Sequence, residues 1–107
     1  MTTSPREVRE GLVLQGISEE VPYGIELGLW LEDGQTASSP AVVAYDERDW
    51  SEATTKILTG TAAIVGSLLT TPIVRNLRLD TTYRVVCTFD VSGAGKRSCF
   101  FRVRGER

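Results

Sequence analysis

The chain has 107 residues, 41% of them hydrophobic and 24% charged, with a net charge of −2, which suits a single globular domain able to fold without metal or staples. It contains no histidine, which removes the commonest general base, metal ligand and near-neutral pH switch together and excludes Ser-His and Cys-His nucleophile pairs. No apolar run is long enough to span a bilayer, and the start Met1-Thr2-Thr3-Ser4-Pro5-Arg6-Glu7 has no apolar h-region, so a cytosolic place of synthesis and use is expected, or an assembly built there.

Residues 1–7 have no core-facing pattern and read as a flexible arm before a domain over 8–107. Val8 to Ile17 reads as a first strand, with Gly11 and Gly16 marking a bulge or an edge position. Ser18 to Gly24 is a loop. Ile25-Glu26-Leu27-Gly28-Leu29-Trp30-Leu31 alternates as a strand, with aliphatic odd positions and Trp30 on the other face. Asp33-Gly34 is a turn. Thr36 to Tyr45 is a third strand that Pro40 breaks or places at an edge. Asp46 to Glu52 is an acidic loop or a single helical turn. Thr54–Leu58, Ala62–Val65 and Ile73–Leu77 are short strand candidates. Trp50, Ala53, Ile57 and Leu58 also fit a helical period, but short strands at regular spacing favour the strand reading.

The closing third carries the strongest pattern. Tyr83, Val85, Cys87, Phe89 and Val91 share one face of a strand, and Arg84, Val86, Thr88 and Asp90 share the other. Ser92-Gly93-Ala94-Gly95 is turn chemistry. Cys99, Phe101 and Val103 then resume the alternation. Tyr83 and Phe89 are expected core anchors. Cys87 and Cys99 stand opposite each other only if the turn holds three residues or a bulge restores that register; two- or four-residue turns stagger them. Free buried thiols are expected, not an obligatory disulfide.

Few residues suggest chemistry. Gly93-Ala94-Gly95-Lys96 lacks the strand–loop–helix context of a phosphate loop. Glu19-Glu20, Glu32-Asp33 and Asp46-Glu47-Asp49 lie in loops without a calcium-loop spacing and read as solvated charge. No cofactor, metal or catalytic residue is expected, nor a nucleic-acid or membrane partner. Tyr23, Trp30, Tyr45 and Trp50 are candidates for an aromatic platform, Trp30 foremost. Residues 1–53 carry a net −8 and residues 54–107 a net +6. Arginine supplies ten of the twelve basic residues, the type best suited to bidentate pairing at an interface. Arg84, Arg97, Arg102 and Arg104 lie on or beside the last two strands and, with Trp30, form the expected interaction set.

The run Leu77-x-Leu79-x-Thr81-x-Tyr83-x-Val85 resembles the approach to a late strand of immunoglobulin-like and fibronectin-type sandwiches, where a tyrosine locks the preceding corner. Three stretches resemble the small immunoglobulin-like structural proteins of tailed bacteriophages, of fiber–tail adaptor or neck type. They are Tyr23 to Leu31 followed by Gly34-Gln35-Thr36-Ala37-Ser38-Ser39, then Thr81-Thr82-Tyr83-Arg84-Val85, and finally the closing Arg97 to Arg107. Residues 46–58 are longer and more acidic than in that family, and residues 1–22 have no counterpart in it. The resemblance implies an all-β fold, a single immunoglobulin-like β-sandwich of about seven antiparallel strands. It implies a non-enzymatic virion structural protein, assembled in a bacterial host cytoplasm, that contacts other virion proteins as repeated copies at the neck, tail or fiber attachment region or as capsid decoration. A sugar- or protein-binding module of a bacterial protein is the alternative.

Overall fold

The computed structural model describes residues 7–107. The expected arm at residues 1–6 lies outside the described residues, and the first strand already begins at Glu7. Strands β1 (Glu7–Gly16), β2 (Gly24–Glu26), β3 (Ala37–Asp46), β4 (Ser51–Glu52), β5 (Leu58–Thr59), β6 (Ala63–Val65), β7 (Leu68–Thr70), β8 (Ile73–Val74), β9 (Thr82–Val91) and β10 (Gly95–Glu106) account for most of the described chain. Helical structure is confined to a 3-10 turn at Leu27–Trp30 and a single turn, α1, at Thr54–Ile57. The fold is all-β. It has ten strand segments among the described residues, where about seven strands are expected from the sequence, because several short segments divide the middle of the chain.

A five-stranded sheet runs β1-β10-β9-β3-β4, and a three-stranded sheet runs β2-β7-β6. β5 and β8 form a separate pair. The large sheet is antiparallel except at one edge, where β1 lies parallel to β10. The β9–β10 hairpin closes through Ser92-Gly93-Ala94, since Val91 faces Gly95. Gly93 and Gly95 both take positive φ there, a conformation that costs glycine little. That three-residue turn sets Cys99 directly across from Cys87.

Burial on β9 alternates without a break, with Tyr83, Val85, Cys87, Phe89 and Val91 inside. They join Cys99, Phe101 and Val103 of β10 and Ile25, Leu27 and Leu69 from the smaller sheet in one core. Both expected anchors, Tyr83 and Phe89, are buried. The Tyr83 hydroxyl accepts the Arg78 backbone N–H at 3.2 Å, which pins the corner leading into β9. Gly105 sits against that corner so tightly that a Cβ would collide with the Arg78 carbonyl. A buried polar link lies at the same end of the core, where Gln15 pairs with Gly105. Gln15 donates to the Val74 carbonyl at 2.8 Å and accepts from the Tyr23 hydroxyl at 2.6 Å, and the Tyr23 ring lies 5.2 Å from that of Phe101.

Two local expectations change. The run 25–31 is a strand only to Glu26. The Glu26 carboxylate accepts from the Gly28 N–H and from the Ser67 hydroxyl, drawing the chain into the 3-10 turn instead of continuing a ladder. Residues 54–57 are a helical turn and not a strand. Ala53 and Ile57, four apart, bury the same face, and the Thr54 hydroxyl takes the Ala44 N–H at 3.0 Å. Pro40 falls at a break in the ladder, as expected: the β3–β9 register shifts between Ser38 and Ala41, and β4 pairs with β3 only at Tyr45 and Asp46. β7 is a strand that the sequence pattern does not announce.

Candidate interaction surface

The outer face of the five-stranded sheet brings several charged residues together with an exposed ring. Register places Leu12, Arg102, Arg84, Tyr45 and Glu52 side by side across all five strands. The neighbouring row on one side holds Leu14, Arg104 and Thr82. The next row on the other side holds Phe100, Val86 and Val43. These are the positions opposite in parity to the core, so strand pleat alone turns them outward.

Arg84 and Arg102 are direct cross-strand neighbours, an arrangement that like charge disfavours. Glu47 removes the conflict. It lies one alternation beyond Tyr45, and its N–H donates to the Thr82 carbonyl at 3.0 Å, which aligns it with β9. Its carboxylate accepts Arg102 Nη2 at 2.9 Å and Nε at 3.0 Å, a bidentate grip, and Arg84 Nε at 3.2 Å. Burial pushes the Glu47 carboxyl up, but the hydrogen bonds and charge of Arg102 and then Arg84 outweigh it and hold the group below its ordinary range. Glu47 is therefore a fixed anion with both oxygens occupied, not a proton donor at neutral pH.

The Arg84 guanidinium also lies between two rings, 4.2 Å from the centroid of Phe100 and 4.8 Å from that of Trp50. Such cation–π contacts contribute about 0.5–1 kcal/mol each at exposed sites. Trp50 arrives there through a tight turn. Asp46 pairs with Arg48 at 2.7 Å, and the hydrogen bond from Arg48 holds the Asp46 carboxyl below its usual range. The Asp46 carbonyl accepts the Trp50 N–H at 2.7 Å. Trp50 itself sits at φ 59°, left-handed backbone that costs a bulky residue on the order of 1–3 kcal/mol. It is nonetheless 53% exposed, so burial does not repay that strain.

The five residues expected to form the interaction set do not all meet. Arg84 and Arg102 share Glu47, and Arg104 stands in the adjoining row, 3.3 Å from Asp80. Arg97 lies at the hairpin end of β10, where it donates to the Ala94 and Lys96 carbonyls at 2.9 and 3.0 Å. Trp30 lies in the 3-10 turn, partly buried against the core and not on the outward face of a strand. The sequence set lacks Glu47, Trp50 and Phe100 in these roles. Trp50 and the Asp46-Glu47-Asp49 cluster are conspicuous in the sequence, but their meeting with Arg84 depends on the β3–β9 register.

Two residues of the other acidic loops bond locally. Glu19 accepts the Gly16 N–H and Asp49 accepts from Ser51. Among the described residues no three carboxylates or thiols gather as a metal-ligand set. Cys87 and Cys99 are free and buried. Their mutual hydrogen bond, and then burial, push the Cys87 thiol up, away from the thiolate that nucleophilic chemistry needs. No family model, curated protein or solved structure matches the chain.

Proposed function

We propose that the chain is a structural protein of a tailed-bacteriophage virion, an immunoglobulin-like sandwich of fiber–tail adaptor or neck type that acts through protein–protein surfaces and not through catalysis. The strand order supports the immunoglobulin-like part. A β10-β9-β3-β4 run flanked by parallel β1, with β2-β7-β6 as a second sheet, is the order expected when the first strand of such a sandwich joins the sheet of its last. The Tyr83 hydroxyl bond to the Arg78 backbone supports it further.

The observation that carries the functional part is the outer face of the large sheet. There Arg84 is held between Trp50 and Phe100 while Trp50, Leu12 and Leu14 remain exposed. Arginine and tryptophan are the residue types that dominate interface energetics. A sugar-binding module is less well supported, because the ring on which that alternative most depends, Trp30, is partly buried against the core. The test is the composition of particles. The chain should be found by mass spectrometry in purified virions, with its gene beside capsid, portal or tail genes. Absence from virions, together with glycan-array binding lost on Trp30→Ala, would replace this reading with the sugar-binding one.

A further inference from the structure

The chain has five aspartates, and four of them have fixed partners. Asp46 accepts the Arg48 N–H at 2.9 Å and pairs with its guanidinium at 2.7 Å. Asp49 accepts the N–H and the hydroxyl of Ser51 at 3.0 and 2.7 Å. Asp80 pairs with Arg104 at 3.3 Å and Asp90 with Lys96 at 2.8 Å. Asp33 differs. It is exposed, and its carboxylate has no hydrogen-bond or ion-pair partner among the described residues. It is also the one aspartate followed by glycine; Glu47, Trp50, Thr81 and Val91 follow the other four.

Asp33 and Gly34 are the central pair of a four-residue turn. The Gln35 N–H donates to the Glu32 carbonyl at 3.0 Å, and the Glu32 N–H donates to Gln35 Oε1 at 2.8 Å. Gly34 takes φ 83°, a positive value at the third turn position, where glycine fits without strain. The turn therefore calls for the one residue that leaves the nitrogen after an aspartate unshielded by a side chain. That nitrogen donates to no acceptor among the described residues. The space a Cβ of residue 34 would occupy has no neighbouring atom within 4 Å. The side-chain bond that helps close the turn is itself exposed, so the peptide between Asp33 and Gly34 can rotate at small cost.

We propose that Asp33-Gly34 is a site of spontaneous covalent modification, at which the aspartate converts to isoaspartate through a cyclic succinimide. The Gly34 nitrogen forms a bond to Asp33 Cγ. The Gly34 N–H proton, one carboxyl oxygen and one proton from solvent leave together as water. Water then adds to one of the two imide carbonyls. Opening at Cγ restores aspartate. Opening at the main-chain carbonyl leaves the chain running through the former side chain and frees the α-carboxylate. One water is lost and one regained, so the reaction needs no oxidant, cofactor or enzyme. The charge at Asp33 is kept, but the main chain gains a methylene in the loop between the 3-10 turn and β3. No residue from 32 to 36 belongs to the buried core, so the change stays in the loop. The other four aspartates are disfavoured twice, by carboxylates already held and by a side chain on the residue that follows. The single asparagine, Asn76, precedes Leu77 and lacks the glycine that makes the parallel deamidation fast.

Ageing the full folded chain in neutral buffer at physiological temperature, then digesting it with trypsin, tests this. Trypsin should release residues 10–48 as one peptide, since no lysine or arginine lies between Arg9 and Arg48. With time that peptide should divide into two species of equal mass. Only the new one should accept a methyl group from protein isoaspartate methyltransferase, and fragmentation should place the change at Asp33. Asp33→Glu should abolish it, because its imide needs a larger ring that closes far more slowly. Asp33→Asn should speed it about tenfold or more, a barrier lower by about 1.4 kcal/mol, with ammonia lost in place of water. The folded chain should react within about tenfold of its rate in urea, since only a surface turn must open. Circular dichroism of the aged chain should be unchanged. Absence of isoaspartate at Asp33, conversion in urea alone, or equal conversion at Asp46, Asp49, Asp80 or Asp90 overturns the proposal.

Discussion

Strand β9 presents two faces made by different rules. Inward it offers Tyr83, Val85, Cys87, Phe89 and Val91, all buried and all tolerant of any partner that fills space. Outward it offers Arg84, Val86, Thr88 and Asp90, of which Arg84 holds its place only because Glu47, Trp50 and Phe100 surround it. The inner face gains free energy in proportion to area removed from water. The outer face gains it from geometry, one hydrogen bond and one ring contact at a time. A domain needs the first for stability. The second adds little stability for the precision it demands, which is why we propose it as the working surface.

The widest separation of the two faces comes from truncation. Phe89→Ala removes a fully buried ring and should cost about 3–5 kcal/mol in urea denaturation. Val86→Ala on the outward side of the same strand should cost under about 1 kcal/mol. A Phe89→Ala loss as small as that of Val86→Ala would show that the inner face is not the core.

The next effect is electrostatic. Glu47→Gln leaves two neighbouring guanidinium groups without their shared anion. For a pair this close to the surface the expected loss is about 1–2 kcal/mol. Its pH dependence has a definite sign. Glu47 and Asp46 are both held below their ordinary values by arginine partners. Their contribution is thus fully present above the unfolded carboxyl range near pH 4 and is lost as pH falls through the lower folded values. Stability should drop on acidification from about pH 5 downward, and the Glu47→Gln variant should drop less steeply. Parallel acid profiles for the two proteins would mean that the Glu47 contacts do not persist in solution.

These two faces were not equally legible from the residues. The ten-residue alternation of β9 fixes the inner face, because a one-residue slip would turn every apolar side chain outward. Tyr83 and Phe89 follow from parity alone. The outer set does not, because parity puts Arg84 and Arg102 outside without saying what meets them. That requires the register in which Tyr45 faces Arg84, and a bulge at Ser39-Pro40 adjusts that register partway along β3. The same limit explains Trp30. A short alternation such as 25–31 is outweighed by one side-chain bond, from Glu26 to the Gly28 N–H. It explains residues 54–57 as well, where four residues cannot distinguish a helical turn from a strand by period.

A finer probe of the outer face is Trp50→Gly. Glycine relieves the left-handed backbone but removes the ring over Arg84. The two effects oppose, at about 1 kcal/mol each, so the folded stability should change by less than about 1 kcal/mol while any association through this face weakens. A large loss of stability would place Trp50 on the side of the core.

The smallest effect is expected at the centre of the inner face. Cys87 and Cys99 are directly opposed and hydrogen-bonded as thiols, so the chain has one place where a covalent link between β9 and β10 is sterically near. Yet those strands are already adjacent through ten register pairs, and a cross-link within a tight hairpin closes a short loop, the case in which a disulfide restrains the unfolded chain least. The urea midpoint should therefore be the same with and without dithiothreitol. Thiol alkylation should be slow in the native protein and fast in denaturant, since both sulfurs are sealed from solvent. A midpoint that falls in reductant would mean that the hairpin is held by a bond and not by packing, and the inner face would then owe its stability to chemistry of the kind reserved here for the outer one.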